Sequence, residues 1–258
     1  MSRDSTKKVL SVAFLLCLVC SVLVSAAAVL LSERQERNKV EEKRKNILQA
    51  AGLYQPGQSV DEQYAQIEPR IIDLQSAWFS DQFDPASFDS RAAAKDPAFN
   101  RVIPGPLDLA DIKRRSRYKD VYLVLDEGRL QQLILPVHGK GLWSTMYGFV
   151  SLASDLTTVN GFAFYEHGET PGLGGEIDNP NWKQQWRGKR IYDESGEVRI
   201  RVLKGNVDKN APDAVYQADG LAGSTLTARG VGNLLSYWMG EDGYQPFLER
   251  LQQQGIEP

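Results

Sequence analysis

Residues 119–137 read KDVYLVLDEGRLQQLILPV, two apolar runs separated by Glu127 and Gly128. Apolar and polar side chains alternate across both runs, and such alternation is typical of a β-strand. A short turn that contains glycine between two runs of this kind predicts a β-hairpin. The hairpin indicates that antiparallel strands organise this part of the chain.

Four other stretches complete the predicted elements. TTVNGFAFYEH at 157–167 and GEVRIRVLKG at 196–205 are predicted as strands. TLTARGVGNLLSYWMG at 225–240 and YQPFLERLQQQG at 244–255 are predicted as helices, each ending at a glycine. The sequence therefore predicts an α+β fold with a mostly antiparallel sheet and flanking helices, whereas residues 54–115 show no clear pattern.

The N-terminal part of the chain has a different character. Residues 9–31 carry no charge and are long enough to cross a bilayer, which takes about 20 apolar residues. A cleaved signal peptide is the alternative, because three alanines at 26–28 suit a peptidase, but the apolar run outlasts a signal h-region. We expect a single transmembrane helix at 9–31 after a cytoplasmic segment 1–8.

A charged segment, 32–53, follows the apolar run and is predicted to continue it as a stalk helix ending at Gly52. Residues 54–258 are then predicted to form one extracytoplasmic domain. Positive charges flanking the apolar run are more numerous on its C-terminal side, which by itself argues against export of the domain. Both cysteines lie in the apolar run, so the domain has no disulfide framework.

Composition and motifs exclude several classes of function. The net charge is −3 and no basic face with interleaved aromatic residues is visible, so we expect no nucleic-acid partner. The chain has no phosphate loop, no dinucleotide fingerprint and no serine-hydrolase elbow. His138 and His167 lack ligand spacing for a metal, so none is expected.

Three glycine-rich stretches, 138–149, 166–177 and 219–230, are predicted to converge on one flat ligand, with Trp143 and Tyr147 in contact with it. The third stretch contains Ser224, Thr225 and Thr227. A turn followed by a helix N-cap is the simpler explanation of these hydroxyls. A phosphate carried by Thr225 is the other, because it would lie at a helix start, where free N–H groups and the helix dipole stabilise anions.

The sequence DGLAGSTLT at 219–227 resembles the flavinylation motif Asp-Gly-x-Ser-Gly-Ala-Thr-x-Thr. That motif belongs to FMN-binding domains in the C subunits (NqrC) of the sodium-translocating NADH:quinone reductases and in the G subunits of Rnf complexes. GKGLWSTMYGF and GETPGLGGEIDNPNWKQQWRGK are similar to the NqrC version, as are the single anchor and the ending GEDGYQPFLERLQQQG. The resemblance runs from the anchor onward and is weakest at about 80–115.

The resemblance implies a function. A dedicated flavin transferase would join FMN through its phosphate to Thr225, which the Gly-x-Thr-x-Thr spacing favours over Ser224 and Thr227. Ala222 and Ser224 depart from the motif, and their effect on flavinylation stays open. The chain would relay electrons one at a time in a complex of six subunits, which couples ubiquinone reduction to Na+ export. It would lie in the bacterial inner membrane with its domain on the periplasmic side.

The resemblance also implies which residues form the site, within an FMN-binding core of about 116–240. The transferase would recognise Asp219, Gly220 and Gly223. Lys204 would stabilise negative charge on the reduced flavin, although an exposed lysine at a strand end is an equally common situation. The other implied contacts to the cofactor are Leu142, Trp143, Ser144, Glu169, Thr170, Leu173, Gly174, Gly223, Ser224, Leu226 and Thr227. An Rnf-type flavin subunit and a non-redox membrane-tethered binding or assembly module are the alternatives.

Overall fold

A computed structural model describes residues 6–256 of the chain. The chain forms two compact units, Met1–Lys43 and Arg44–Pro258. Most of the predicted cytoplasmic segment, residues 1–5, lies outside the described residues. The division between the units falls inside the segment for which a stalk was predicted.

The first helix, α1, runs over Thr6–Ala51 and includes the apolar run. Within residues 6–256 it is the one helix long and apolar enough to cross a membrane, and its apolar window is fully exposed. Gly52 follows it with a φ of 71°, so the helix stops at the glycine that was expected to end it. This helix is compatible with a membrane anchor.

The second unit is built on a six-stranded antiparallel sheet with the order β2-β1-β5-β6-β7-β8. Its strands are β1 Ile67–Asp73, β2 Trp78–Phe79, β5 Tyr118–Asp126, β6 Arg129–Lys140, β7 Thr145–Ala153 and β8 Val159–Glu166. Two short pairs lie outside it, namely β3 Asn100–Val102 with β4 Arg114–Ser116, and β9 Arg201–Val202 with β10 Gln217–Ala218. The remaining helices are α2 Val60–Tyr64, α3 Ser90–Ala93, α4 Pro180–Gln184, α5 Thr225–Trp238 and α6 Gln245–Gln254. The α+β class, the mostly antiparallel sheet and the flanking helices are confirmed.

The predicted hairpin is β5 and β6. Glu127 and Gly128 form its turn with φ angles of 48° and 76°. Positive φ at both central residues matches the right-handed twist of the flanking strands, so this turn fixes the register of the sheet's central pair.

Each face of the sheet is covered by a helical layer. On one face, α5 and α6 bury Leu234 and Phe247 in the same core as Leu133 of β6. On the other face, the last turns of α1 bury Ile47 and Leu48 against strand residues of a second core cluster, Ile67, Tyr122, Val124, Ile134, Phe149 and Ala163. The end of α1 is therefore one of the layers of the domain.

Two aromatic side chains complete the sheet where β5 and β6 separate. The paired register of these strands begins at Tyr122 opposite Ile134, so the end of β6 stays paired with β7 but has no strand partner on its β5 side. The indole N–H of Trp238 donates to the His138 carbonyl at 2.7 Å, and the Tyr244 hydroxyl donates to the Pro136 carbonyl at 2.6 Å. The end of α5 and the start of α6 are thus each anchored to β6 by a hydrogen bond as well as by apolar packing.

The strand predicted at 196–205 was largely wrong, because only Arg201–Val202 is a strand there. The alternation is real, since Ile200 is buried and Val198 and Val202 pack against the core. The backbone N–H groups of Arg199 and Ile200 both donate to the Ile191 carbonyl, so no regular ladder forms. Alternation indicates which side chains face a core, whereas a strand also requires a neighbour with free backbone groups.

The glycine-rich stretch 138–149 is mostly strand. Strand β6 extends to Lys140 and β7 begins at Thr145, which pair with each other. Only residues 141–144 remain as a loop, and they lie at one end of the sheet's longest hairpin.

Candidate functional site

The loop at 141–144, here loop 1, presents two apolar side chains to solvent. Leu142 is 40% exposed and Trp143 is 66% exposed. The loop is closed by the Gly141 N–H, which donates to the Ser144 carbonyl at 2.8 Å. Because rigid paired strands flank it on both sides, the position of Trp143 is set by the sheet.

Glu169, in the loop that follows β8, accepts hydrogen bonds from the backbone of loop 1. Its Oε1 accepts from the N–H groups of Trp143 and Ser144 at 2.9 and 3.2 Å, and its Oε2 accepts from the Leu142 N–H at 3.1 Å. Consecutive N–H groups directed at one point form an anion-binding concavity. In this domain the concavity is filled by an internal carboxylate.

The same carboxylate also contacts helix α5. The Thr227 hydroxyl donates to Glu169 Oε2 at 2.5 Å, and both side chains are buried, with exposed fractions of 0% for Thr227 and 5% for Glu169. Burial by itself raises the pKa of Glu169, but the hydrogen bonds from Thr227 and from the loop 1 N–H groups outweigh it, so the pKa lies below its usual value. The group is therefore a carboxylate at neutral pH.

The loop at 168–175, here loop 2, surrounds Glu169 and approaches helix α5. A Cβ at Gly174 would lie 2.6 Å from Thr227 Oγ1, so this position has no room for a side chain. Thr170 is exposed and its carbonyl accepts from the N–H groups of Leu173 and Gly175. Leu173 is 44% exposed and would contact a Cβ at Gly223, so loop 2 meets the motif 219–227 there.

The three hydroxyls of the motif have different environments. Ser224 is the N-cap residue of α5, but it is 5% exposed and its side chain makes no capping hydrogen bond. Thr227 is committed to Glu169. Thr225, the first residue of α5, is exposed. A helix cap therefore does not account for the cluster, and Thr225 is the hydroxyl that an external reagent can reach.

Exposed apolar side chains lie on three segments: loop 1, loop 2 and residues 219–227, here loop 3, which contains Thr225. Of the large hydrophobic residues that are exposed within Arg44–Ile256, four belong to this site: Leu142, Trp143, Leu173 and Leu226. The first N–H groups of α5 have no partner within the helix and no side-chain cap. A helix start with free N–H groups favours a phosphate, and an apolar surface beside it favours a flat ring. FMN has both of these groups.

Asp219 and Gly220 have local contacts of their own. The Asp219 carboxylate accepts from the Val207 N–H at 2.7 Å, and a Cβ at Gly220 would lie 2.3 Å from the Leu203 carbonyl. These contacts fix the segment that contains Lys204, whose side chain is exposed. Recognition of Asp219, Gly220 and Gly223 by a flavin transferase stays a prediction.

Sequence reasoning missed the support given by His167. Its Nδ1 accepts from the Glu169 N–H at 3.2 Å, and its Nε2 lies 2.7 Å from Asp178 Oδ2. Because Nδ1 accepts, a neutral ring carries its proton on Nε2, which donates to Asp178. No sequence signal links residues eleven positions apart across an irregular loop, so only the fold reveals this pair.

Known proteins that resemble this chain point to the same ligand as the geometry of the site. A family model described as an FMN-binding domain matches residues 141–240, which include all three loops and helix α5. Two curated relatives are named as the C subunits of a "Na(+)-translocating NADH-quinone reductase". The protein of Pseudomonas aeruginosa is 52% identical over 97% of both chains, and that of Yersinia pestis is 46% identical over 99% of this chain and 97% of the relative. The chain belongs to the NqrC family.

Solved structures of this family share the fold. The crystal structure of Shewanella oneidensis NqrC has a TM-score of 0.78 at 32% identity and covers 84% of this chain and 100% of that chain. The homologous structure from Parabacteroides distasonis has a TM-score of 0.66 at 27% identity, covering 84% and 96%. As a member of the NqrC family, the chain is part of an NADH-quinone reductase and has an FMN-binding domain.

Proposed function

We propose that Thr225 carries FMN through a phosphoester bond between its Oγ1 and the flavin phosphate. One observation supports this more than any other: Thr225 is exposed at an uncapped helix start, whereas Ser224 and Thr227 are buried. The N–H groups of the first turn and the positive end of the helix dipole stabilise the phosphate. A flavin transferase that recognises Asp219, Gly220 and Gly223 makes the bond from a flavin dinucleotide. Thr225 Oγ1 loses its proton and bonds to the flavin-side phosphorus, the P–O–P bond breaks, and the nucleoside monophosphate leaves.

The exposed apolar side chains contact the flavin ring in this proposal. Leu142, Trp143, Leu173 and Leu226 exclude water from the ring and orient it. The lysine ammonium of Lys204 stabilises negative charge on the reduced ring. Further contacts predicted for the cofactor are Ser144, Thr170, Gly174, Gly223 and Ser224. The covalent bond keeps the cofactor in the domain.

FMN supplies the electron chemistry, and the chain positions it. We propose that the protein relays electrons one at a time between redox centres of the complex during quinone reduction coupled to Na+ export. Its helix segment 9–31 contains no Asp, Glu, Lys, Arg or His, the residue types that mark ion paths through a membrane. The relatives' names favour this complex over an Rnf-type one. Other subunits therefore translocate sodium.

The domain is proposed to lie on the periplasmic side of the inner membrane, anchored by a single pass. A reporter enzyme that is active on only one side of the membrane, fused after Pro258, tests this placement. Periplasmic activity is expected. Cytoplasmic activity would reverse the topology and leave the flavin site unaffected.

Peptide mass spectrometry tests the attachment directly. The full chain, co-produced with a flavin transferase, is expected to give a fluorescent band on a denaturing gel and the mass of FMN less water on the Thr225 peptide. Thr225→Val, which keeps the shape of the side chain, is expected to abolish both signals. Ser224→Ala is the matched control and is expected to keep them. Label that persists in Thr225→Val would move the bond to another hydroxyl, and a wild type that is both colourless and unlabelled would refute the redox function.

A further inference from the structure

We propose that Glu169 and Thr227 are positioning residues that hold Thr225 outward for flavinylation, and that neither binds the flavin, in contrast to the cofactor contact that the resemblance implied for each of them. The proposal deepens the proposed function of Thr225 and rests on it. The flavinylation motif contains two threonines, which are Thr225 and Thr227 in this chain. The structure assigns attachment of the cofactor to Thr225 and positioning of the helix start to Thr227.

The burial of the pair separates it from the ligand contacts. Thr227 has no exposed surface and Glu169 is 5% exposed, whereas Leu142, Trp143, Leu173 and Leu226 are all at least 40% exposed. A ligand that lies on the surface of the three loops reaches the four exposed apolar side chains and does not reach Glu169 or Thr227. Glu169 and Thr227 act on the ligand through the segments that they join.

The hydrogen-bonded contact of Glu169 with loop 1 and Thr227, here the junction, requires a carboxylate. Glu169 accepts three backbone N–H groups and one hydroxyl, so all of its partners donate. An ionised carboxylate only accepts, whereas an amide of the same shape would direct its NH2 group at some of these donors. Hydrogen bonds to a charged group are also the stronger ones. The junction is thus specific to glutamate in its ionised form.

Two glycines lie at the positions where the pair needs space. A Cβ at Gly141 would lie 2.5 Å from Glu169 Oε1, and one at Gly174 would lie 2.6 Å from Thr227 Oγ1. Neither glycine is among the residues with positive φ. Space for the buried carboxylate and its partner hydroxyl explains them better than turn geometry does.

Helix geometry connects Thr227 with Thr225. Each residue of an α-helix turns by about 100°, so side chains two positions apart point about 200° away from each other. When the Thr227 hydroxyl binds Glu169 in the interior, the first turn of α5 is held with Thr225 facing solvent. The inward threonine therefore fixes the rotation of the helix start, and the outward threonine receives the cofactor.

The test compares two pairs of variants in the full chain. Thr227→Val keeps the shape and removes the hydroxyl, and Thr227→Ser restores it. Glu169→Gln keeps the shape and removes the charge, and Glu169→Ala removes the group. Circular dichroism and thermal unfolding confirm that each variant folds.

The first measurement is the rate of FMN attachment with a flavin transferase. Loss of a hydrogen bond to a charged group corresponds to about a tenfold effect, so Thr227→Val and Glu169→Gln are expected to be labelled about tenfold more slowly than wild type. Thr227→Ser is expected to be labelled within about twofold of wild type, since it keeps the donor. The double variant Thr227→Val/Glu169→Gln is expected to be no slower than the slower single variant, because both changes remove the same bond.

The second measurement needs no flavin. Hydrogen exchange of residues 142–144 in unlabelled chain is expected to rise by about tenfold in Thr227→Val and to stay near the wild-type rate in Thr227→Ser. Normal exchange in Thr227→Val and in Glu169→Ala would overturn the proposal, as would normal labelling of Thr227→Val. An unlabelled wild type with these exchange changes present would instead refute flavinylation of Thr225 and keep the junction.

Discussion

The two ends of helix α5 are built in opposite ways. At its start, the three loops leave Leu142, Trp143, Leu173 and Leu226 exposed and bury the polar pair Glu169 and Thr227. At its end, Trp238 is fully buried and its indole N–H is satisfied by the His138 carbonyl. One helix thus connects a polar interior under an apolar surface with a core in which large aromatic side chains are fully buried.

The difference indicates what each end contributes. The apolar core at the C-terminal end supplies stability, since burial of apolar area is the main favourable term in folding. The start of the helix leaves apolar area exposed, which is the property of a surface that receives a ligand or partner. Four tests of this division follow, from the largest expected effect to the smallest.

A buried and an exposed tryptophan give the sharpest contrast. Trp238→Ala is expected to lower the free energy of unfolding by about 3–5 kcal/mol, because it leaves a cavity and an unpaired carbonyl. Trp143→Ala, at a residue that is 66% exposed, is expected to change it by less than about 0.5 kcal/mol. Urea denaturation of the detergent-solubilised chain measures both. Comparable losses in the two variants would contradict the division.

Two glycine variants separate the sheet from the loops. Gly161→Ala places a Cβ 2.2 Å from the Ala50 carbonyl, so we expect it to push the end of α1 off β8 and lower stability by about 1–3 kcal/mol. FMN attachment is expected to continue in this variant. In Gly174→Ala the new Cβ meets Thr227 Oγ1. Its effect on the rate of FMN attachment, expressed as a free energy, is expected to exceed its effect on the free energy of unfolding.

Gly205→Ala is the matched control for both glycine variants, because a Cβ there meets nothing within 4 Å. Thermal unfolding and the rate of labelling are measured on the same samples. If Gly161→Ala stopped labelling while remaining folded, the sheet and the loops would not be separable.

The acid dependence of stability follows from Glu169. Its pKa is lowered in the folded chain, so its contribution is present above the unfolded pKa and is lost as the pH falls through the folded pKa. The stability difference between wild type and Glu169→Gln is therefore expected to be largest near neutral pH and to shrink below about pH 4. Thermal unfolding of both chains across this range measures it. A difference independent of pH would show that the charge of Glu169 contributes nothing.

Ser224→Ala is expected to have the smallest effect. An N-cap serine that is replaced by alanine usually costs about 1 kcal/mol, but the Ser224 side chain makes no capping hydrogen bond. The change in the free energy of unfolding is expected to stay below about 0.5 kcal/mol. A loss of about 1 kcal/mol or more, measured by urea denaturation, would indicate a capping role and weaken the case for an open helix start.

Local patterns in the sequence determined much of the fold. The alternation around Glu127 and Gly128 predicted the hairpin of β5 and β6, because the turn and both strands are consecutive in the chain. The helix starting at Thr225 was recognisable for the same reason. The motif at 219–227 with the two other glycine-rich stretches identified the family, since each consists of neighbouring residues.

The tertiary structure alone decided the long-range relations. Strand β1 joins the sheet by pairing with β5, about 50 residues later, and no pattern in residues 67–73 indicates which strand will be its partner. The strand expected at 196–205 is limited to Arg201–Val202, because β10 pairs with those two residues only. The different exposures of Ser224, Thr225 and Thr227 depend on where Glu169 lies, 58 residues from Thr227. A sequence shows which groups can form hydrogen bonds, and only the packed chain determines which of them are already used.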